Sequence, residues 1–152
     1  LICLGKGISS SLPMAALLGT ADIIDVDLGA NLSGTHAGNA LGSAACLANL
    51  EVLTDKQFQK DLKKRSKVFE ERSNNLLKYD CVTNVNARGM VVGIVFETTE
   101  RTNKIVFDCI ESGVLPVCTF RESIKLGPPL TIPVSAINEA FDVLEECIQR
   151  RS

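Results

Sequence analysis

Tryptophan is absent from this chain of 152 residues, and tyrosine and histidine occur once each. Aromatic residues make up only 5% of the sequence, so no base-stacking surface for single-stranded nucleic acid is expected. The single histidine, His36, leaves no clustered ligand set for zinc, and no metal site is expected. Neither sign of charge is in excess: 16 basic against 18 acidic residues give a formal net charge of −2. That balance offers no electrostatic case for a nucleic acid or a membrane surface as partner. No apolar run approaches the ~18 residues of a membrane helix. No signal peptide is visible either, because Leu1-Ile2-Cys3-Leu4 is short and lacks a basic flank.

Cysteine is present, at positions 3, 46, 81, 109, 118 and 147, but never as Cys-x-x-Cys. Most of these residues lie inside apolar runs, which reads as buried free thiols in a reducing cytoplasm. The length suits about one domain, with enough apolar content to bury a core. The first residue is Leu rather than Met, and the chain is expected to open partway along something longer.

Lys6 stands out. It lies in Leu4-Gly5-Lys6-Gly7-Ile8-Ser9-Ser10-Ser11, directly after the apolar start. A lysine between two glycines at the exit of a strand is badly placed for packing and well placed to reach a ligand. Glycine lets the backbone approach a cofactor closely. A desolvated lysine amine can lose its proton and attack a carbonyl to form a Schiff base. Taken alone, the octapeptide reads first as a surface lysine in a turn.

Residues 1–4 read as a strand, and Met14 to Gly19 as a second. Thr20 to Asp27 reads as a short helix capped by Thr20, and Gly29 to Gly38 as a loop. Asn39 to Leu53 is a small-residue helix with Leu41, Ala44, Ala45, Ala48 and Val52 recurring at three and four. Gln57 to Lys78 is a long amphipathic helix with Phe58, Leu62, Phe69 and Leu76 in one stripe. Its basic cluster from Lys60 to Lys67 is interleaved with acids and reads as a solvated face. Cys81–Val85 and Met90–Phe96 are strands separated by a break at Asn86–Gly89. Thr102–Ser112 is a helix burying Ile105, Val106, Cys109 and Ile110, and Gly113 stops it. Val114–Cys118 and Ser123–Leu126 are short strands. Ser135 caps a last helix that buries Ile137, Ala140, Phe141, Leu144 and Ile148. The first ~55 residues therefore form a piece of an α/β unit, and the rest a compact α+β unit.

Four stretches together resemble the C-terminal part of the class III pyridoxal-phosphate aminotransferases, of the ornithine, acetylornithine and 4-aminobutyrate type. They are Leu4-Gly5-Lys6-Gly7 with Leu12 to Gly19, then Thr35-His36-Ala37-Gly38-Asn39-Ala40-Leu41, then Val85 to Ile94, and Ile124 to Ile132. The resemblance implies an α/β fold of the fold type I transferases. Residues 1–56 would be the C-terminal piece of the large domain that binds the cofactor, and residues 57–152 the small α+β domain. It implies pyridoxal 5'-phosphate as cofactor, Lys6 as the Schiff-base lysine, and a small-molecule amino donor with a keto acid or aldehyde as acceptor. Freed Lys6 would then move a proton between the substrate and cofactor carbons. Thr35 matches the threonine that binds the cofactor phosphate of the neighbouring subunit, which implies a homodimer with shared sites. The last motif departs from the pattern: Lys125 stands where many members have an arginine that grips the substrate carboxylate. Lysine keeps the charge and loses the two-pronged donor. Lys125 is either a looser carboxylate ligand, with or without help from Arg121, or a plain strand residue. Asn86 also replaces a usual arginine, and Ala40 a usual proline.

The resemblance further implies that the family's glycine-rich phosphate loop, its ring-stacking aromatic and the acid facing the pyridine nitrogen lie upstream of the lysine. These 152 residues alone are then expected to be an incomplete, inactive fragment. Two other readings stay open at this stage. One is an aminomutase, racemase or decarboxylase on the same scaffold. The other is a non-catalytic remnant domain.

Overall fold

The structure is a computed structural model that describes residues 1–24 and 34–151. The chain divides into two compact units, Leu1–Gln59 and Lys60–Ser152.

In the first unit, β1 (Ile2–Leu4) and β2 (Ala16–Leu18) form an antiparallel ribbon, with Ile2 opposite Leu18 and Leu4 opposite Ala16. A single 3-10 turn, Lys6–Ile8, follows β1 directly. The short helix α1 covers Ala21–Ile24, and the remainder of the expected helix to Asp27 lies outside the described residues, as do positions 29–33 of the expected loop. Helix α2 is Ala40–Thr54. Asn39 caps it by accepting a hydrogen bond from the Gly42 amide at 3.1 Å, which satisfies one of the amides left over at a helix start.

The face α2 turns inward is not the one its small residues suggested. Leu41 and Val52 are 69% and 51% exposed, while Gly42 is buried and Ala45, Cys46 and Asn49 are half-buried. The helix is apolar nearly all round, so periodicity does not single out a face. Close packing does: a Cβ on Gly42 would meet the Met14 sulfur at 3.2 Å. Among its described residues this unit buries no large apolar side chain, and Leu1, Ile2, Leu17, Leu18 and Leu47 lie at the surface.

Helix α3 (Lys56–Asn74) runs from the first unit into the second and ends in a 3-10 turn, Asn75–Lys78. The second unit is a four-stranded antiparallel sheet of order β3-β4-β6-β5 with α3, α4 (Thr99–Glu111) and α5 (Val134–Arg151). The strands are β3 (Val82–Arg88), β4 (Val91–Phe96), β5 (Val117–Cys118) and β6 (Ser123–Leu126). Strand β3 continues through Asn86 to Arg88, beyond the break expected there. The turn is only Gly89–Met90, between the pair Arg88 and Val91. Gly89 takes φ +61, the positive φ that a tight hairpin turn needs and that glycine adopts without strain.

Alternation along the strands sorts the sheet. Val92, Ile94, Phe96 and Ile124 are buried on the helix-bearing face, and they meet Ile105, Cys109, Ile137, Phe141, Leu144 and Ile148 in one core. Phe69 and Phe141 stack edge to face at 5.4 Å, joining α3 to α5. Helix α4 begins three residues before Thr102, capped by the Thr98 hydroxyl, and Ile110 is exposed rather than buried. Helix α5 begins at Val134, so Ser135 lies inside it rather than at its cap. None of the six cysteines is in a disulfide; Cys81, Cys109 and Cys147 are buried, Cys46 and Cys118 half-buried and Cys3 exposed. Among the described residues no helix is long and apolar enough to cross a membrane, and no group of side chains could hold a metal ion.

Candidate functional site

The first candidate, Lys6, opens the 3-10 turn after β1, and its backbone adopts φ +50. Left-handed backbone at a non-glycine residue costs of order 1–2 kcal/mol and persists only where the surroundings impose it. Several contacts impose it here. The Ile8 amide donates to the Gly5 carbonyl at 3.2 Å, and the Ser10 amide to the Gly7 carbonyl at 3.3 Å. The buried Ser9 hydroxyl donates to the Leu12 carbonyl. Ser10 is itself left-handed at φ +63.

The decisive contact comes from α2. Asn49 Nδ2 donates to the carbonyls of Gly7 and Ile8 at 2.7 and 3.0 Å. Asn49 was not singled out from sequence. Its signal was available as the one amide midway along a helix of small and apolar residues. The Lys6 side chain itself is exposed, and it makes no hydrogen bond or ion pair among the described residues. A Cβ on Gly5 or on Gly7 would meet nothing within 4 Å. The turn therefore presents a primary amine on a held backbone with open space on either side. That arrangement fits a lysine that carries a cofactor aldehyde.

Thr35 begins a turn that runs into α2, and the Ala37 amide closes it on the Gly34 carbonyl at 2.8 Å. Thr35 is exposed, and a Cβ on Gly34 would meet nothing within 4 Å. A surface hydroxyl at the glycine-rich start of a 15-residue helix suits an anion. Helix α2 connects both features: its start follows Thr35, and Asn49 holds the Lys6 turn. Ten residues of helix separate Asn39 from Asn49, a rise of about 15 Å.

Lys125 belongs to the second unit. It sits in β6, exposed, on the sheet face opposite the core. The register puts Asn86, Gly93, Lys125 and Val117 in one row across all four strands. Lys125 also lines a mainly apolar cavity of about 320 Å³ with Phe69, Val117, Pro129, Ile137 and Phe141. Arg121 lies in the turn before β6, where its amide donates to the Thr119 hydroxyl at 3.3 Å.

Electrostatic shifts fall elsewhere, and several lie between α4 and α5. The Arg151 guanidinium beside Asp108 holds that carboxyl below its usual range, against the opposing effect of burial. Burial, and then the neighbouring Cys147, pushes the Cys109 thiol up, which makes it inert rather than nucleophilic.

The pattern that defines aminotransferase class-III matches residues 1–148. An acetylornithine aminotransferase from Clostridium acetobutylicum is 25% identical over 98% of this chain and 38% of its own length. A leucine/methionine racemase from Thermococcus litoralis is 27% identical over 97% of this chain and 35% of its own. The crystal structure of the adenosylmethionine-8-amino-7-oxononanoate aminotransferase from Methanocaldococcus jannaschii superposes with a TM-score of 0.85 at 28% identity, over 97% of this chain and 38% of that one. The chain thus spans little more than a third of these relatives, in their C-terminal part. With the pattern matched over nearly every residue and the fold shared with solved members, the chain belongs to the class III aminotransferases.

Proposed function

We propose that this chain supplies the lysine half of the active site of a pyridoxal-phosphate-dependent aminotransferase, in which Lys6 carries the cofactor. The observation that carries the reading is the Lys6 turn: an exposed amine on left-handed backbone, fixed by two hydrogen bonds from Asn49. When bound, the cofactor supplies a pyridine ring that acts as an electron sink. Lys6 Nζ would hold the cofactor through its aldehyde carbon and would be released by an incoming substrate amine. As a free amine, Lys6 would move a proton between the substrate carbon that bears the nitrogen and the carbon that carried the aldehyde. The open space beside Gly5 and Gly7 leaves Lys6 room for both positions.

Thr35 is the second cofactor contact, to the phosphate bound at the neighbouring subunit of a homodimer. The apolar surface of β1, β2 and α2 supports a larger assembly, since exposed leucines in such number are normally covered. Lys125 is the substrate-contacting residue, through the carboxylate of the amino donor or acceptor. In domain terms, residues 1–56 would belong to the large cofactor-binding domain and residues 57–152 to the small one. Six free thiols support a cytoplasmic location. The 152 residues by themselves carry too little of the site to transaminate.

A second reading has a specific observation behind it: leucine/methionine and alanine/serine racemases are among the relatives, at 27% identity each. Lys6 would serve either reaction, because both begin with loss of the same proton. Incubating the full-length polypeptide with an amino donor and a keto acid separates them. A new amino acid and a new keto acid support transamination. Inversion of the donor without a new keto acid supports racemisation.

A further inference from the structure

We propose that the start of α4 and the last turn of α5 form a binding site for a phosphate group. The inference goes beyond the aminotransferase reading and uses none of the residues assigned to it. Thr98, Glu100, Arg101, Lys104, Arg150 and Arg151 line a cavity of about 390 Å³ in the second unit. That volume falls within the ~300–1,000 Å³ usual for small-molecule sites. No apolar side chain lines it, in contrast to the cavity beside Lys125. The two helices are held around it by the chain's own contacts. Thr98, Arg101, Lys104 and Asp108 follow one another at three, three and four positions, which puts them in one stripe. At the far end of that stripe, Asp108 accepts two hydrogen bonds of 2.7 Å from Arg151. That clasp keeps the last turn of α5 beside the start of α4.

The lining favours an anion. Its cations are Arg101, Lys104, Arg150 and Arg151, and its one acid, Glu100, is bonded to Lys104 at 2.7 Å. Glu97, Glu146 and Asp108 pair with Arg101, Arg150 and Arg151 but do not line the cavity. These pairs leave most of two guanidiniums open. Among the described residues Arg101 donates only from Nη1, to Glu97, and Arg150 only from Nη2, to Glu146 at a long 3.5 Å. Exposed pairs of this kind are worth at most ~1 kcal/mol, so they do not hold the arginines against a doubly charged ligand. The Thr98 hydroxyl accepts from the Arg101 amide at 3.2 Å, and its own proton has no acceptor among the described residues. One guanidinium fork is enough for the two oxygens of a carboxylate. Three guanidiniums, an ammonium and a hydroxyl around one cavity suit an anion with more oxygens and two charges. That is the chemistry of a phosphate monoester or of free phosphate.

The test uses the full-length polypeptide, freed of excess cofactor, at fixed ionic strength. Inorganic phosphate and glycerol 3-phosphate are the probes, and acetate is the singly charged control. Calorimetry is expected to show saturable binding of both phosphates and at least about tenfold weaker binding of acetate. Arg101→Gln and Arg150→Gln should each weaken phosphate binding by about tenfold, while Lys60→Gln and Lys63→Gln on α3 leave it unchanged. Phosphate should also raise the melting temperature relative to chloride, and by less in Arg101→Gln. Arg101→Lys keeps the charge without the fork, and serves if Arg101→Gln loses its helical circular dichroism. The arginine variants separate this site from the cofactor's own, whose phosphate contacts they do not touch. Both titrations support the proposal if they saturate: tighter binding of glycerol 3-phosphate assigns a monoester as ligand, and equal binding assigns free phosphate. No saturable binding of either, or binding that both arginine variants leave intact, would overturn it. Cofactor attachment at Lys6 is read separately by mass spectrometry, so either reading can fail while the other stands.

Discussion

Asn49 donates from one nitrogen to two successive carbonyls, and this fixes where the Lys6 turn sits. The bonds join α2 to a segment more than 40 residues earlier, so they close a long loop with a single side chain. Asn49→Ala should cost about 1 kcal/mol in a urea melt, since net values of ~0.5–1.5 kcal/mol per hydrogen bond are usual. Its larger effect should be on chemistry. Lys6 would lose its held backbone, and cofactor attachment at that residue should fall several-fold by mass spectrometry while the helical circular dichroism stays unchanged. Equal labelling of Lys6 in both proteins would show that the anchor is incidental. At this scale the sequence was partly legible. Lys6 announced itself because glycines flank it. Asn49 did not, because a hydrogen bond to a distant backbone leaves no local pattern. Lys125 and Asn86 were both visible as departures from an arginine, but that they share one row of the sheet emerged only from the strand register.

The elements of the second unit follow their sequence closely because each carries a clear period. Phe69 falls on the buried stripe of α3 and Leu76 is buried in the 3-10 turn that follows it, and Ile137, Phe141, Leu144 and Ile148 fall on the buried stripe of α5. The stripe of α2 misled, because leucines and alanines surround that helix and the side turned inward is set by the close approach to Met14. The β3–β4 break expected over Asn86–Gly89 is shorter than that, because β3 stays paired through Arg88 and the positive φ falls at Gly89. Gly89→Ala should therefore destabilise the chain by about 1–2 kcal/mol in chemical denaturation, and Gly89→Asn by less. The pair Asp108–Arg151 couples α4 to α5 through two hydrogen bonds of 2.7 Å. The Arg151 contact depresses the Asp108 carboxyl, so its contribution is complete above the unfolded value of about 3.9 and is lost as pH falls through the folded value. Thermal melts of the native chain and Arg151→Gln should differ at about pH 7 and converge towards about pH 3. A gap that persists undiminished in acid would mean that Arg151 acts by packing rather than charge.

Across the whole molecule, the two units differ in how they are held. The second owns a core of buried aromatic and branched side chains, reinforced where Arg72, Lys78 and Tyr79 converge on Glu145. Burial opposes the ionisation of Glu145, but these partners outweigh it and keep the carboxyl low. The first unit offers a ribbon, a turn and a helix whose leucines face outward. A two-stranded ribbon is marginal alone, and among its described residues this unit buries no large apolar side chain. That contrast was legible from sequence as a shift from small-residue to strongly periodic segments near residue 57. The account rests on one bond, between Lys6 Nζ and the aldehyde carbon of pyridoxal phosphate. The direct measurement is to load the full-length polypeptide with the cofactor, reduce with borohydride, digest, and map the added mass. The account predicts a single stoichiometric adduct on Lys6, lost in Lys6→Ala. Mass spread over several surface lysines, or an unmodified Lys6 in the loaded protein, would contradict it.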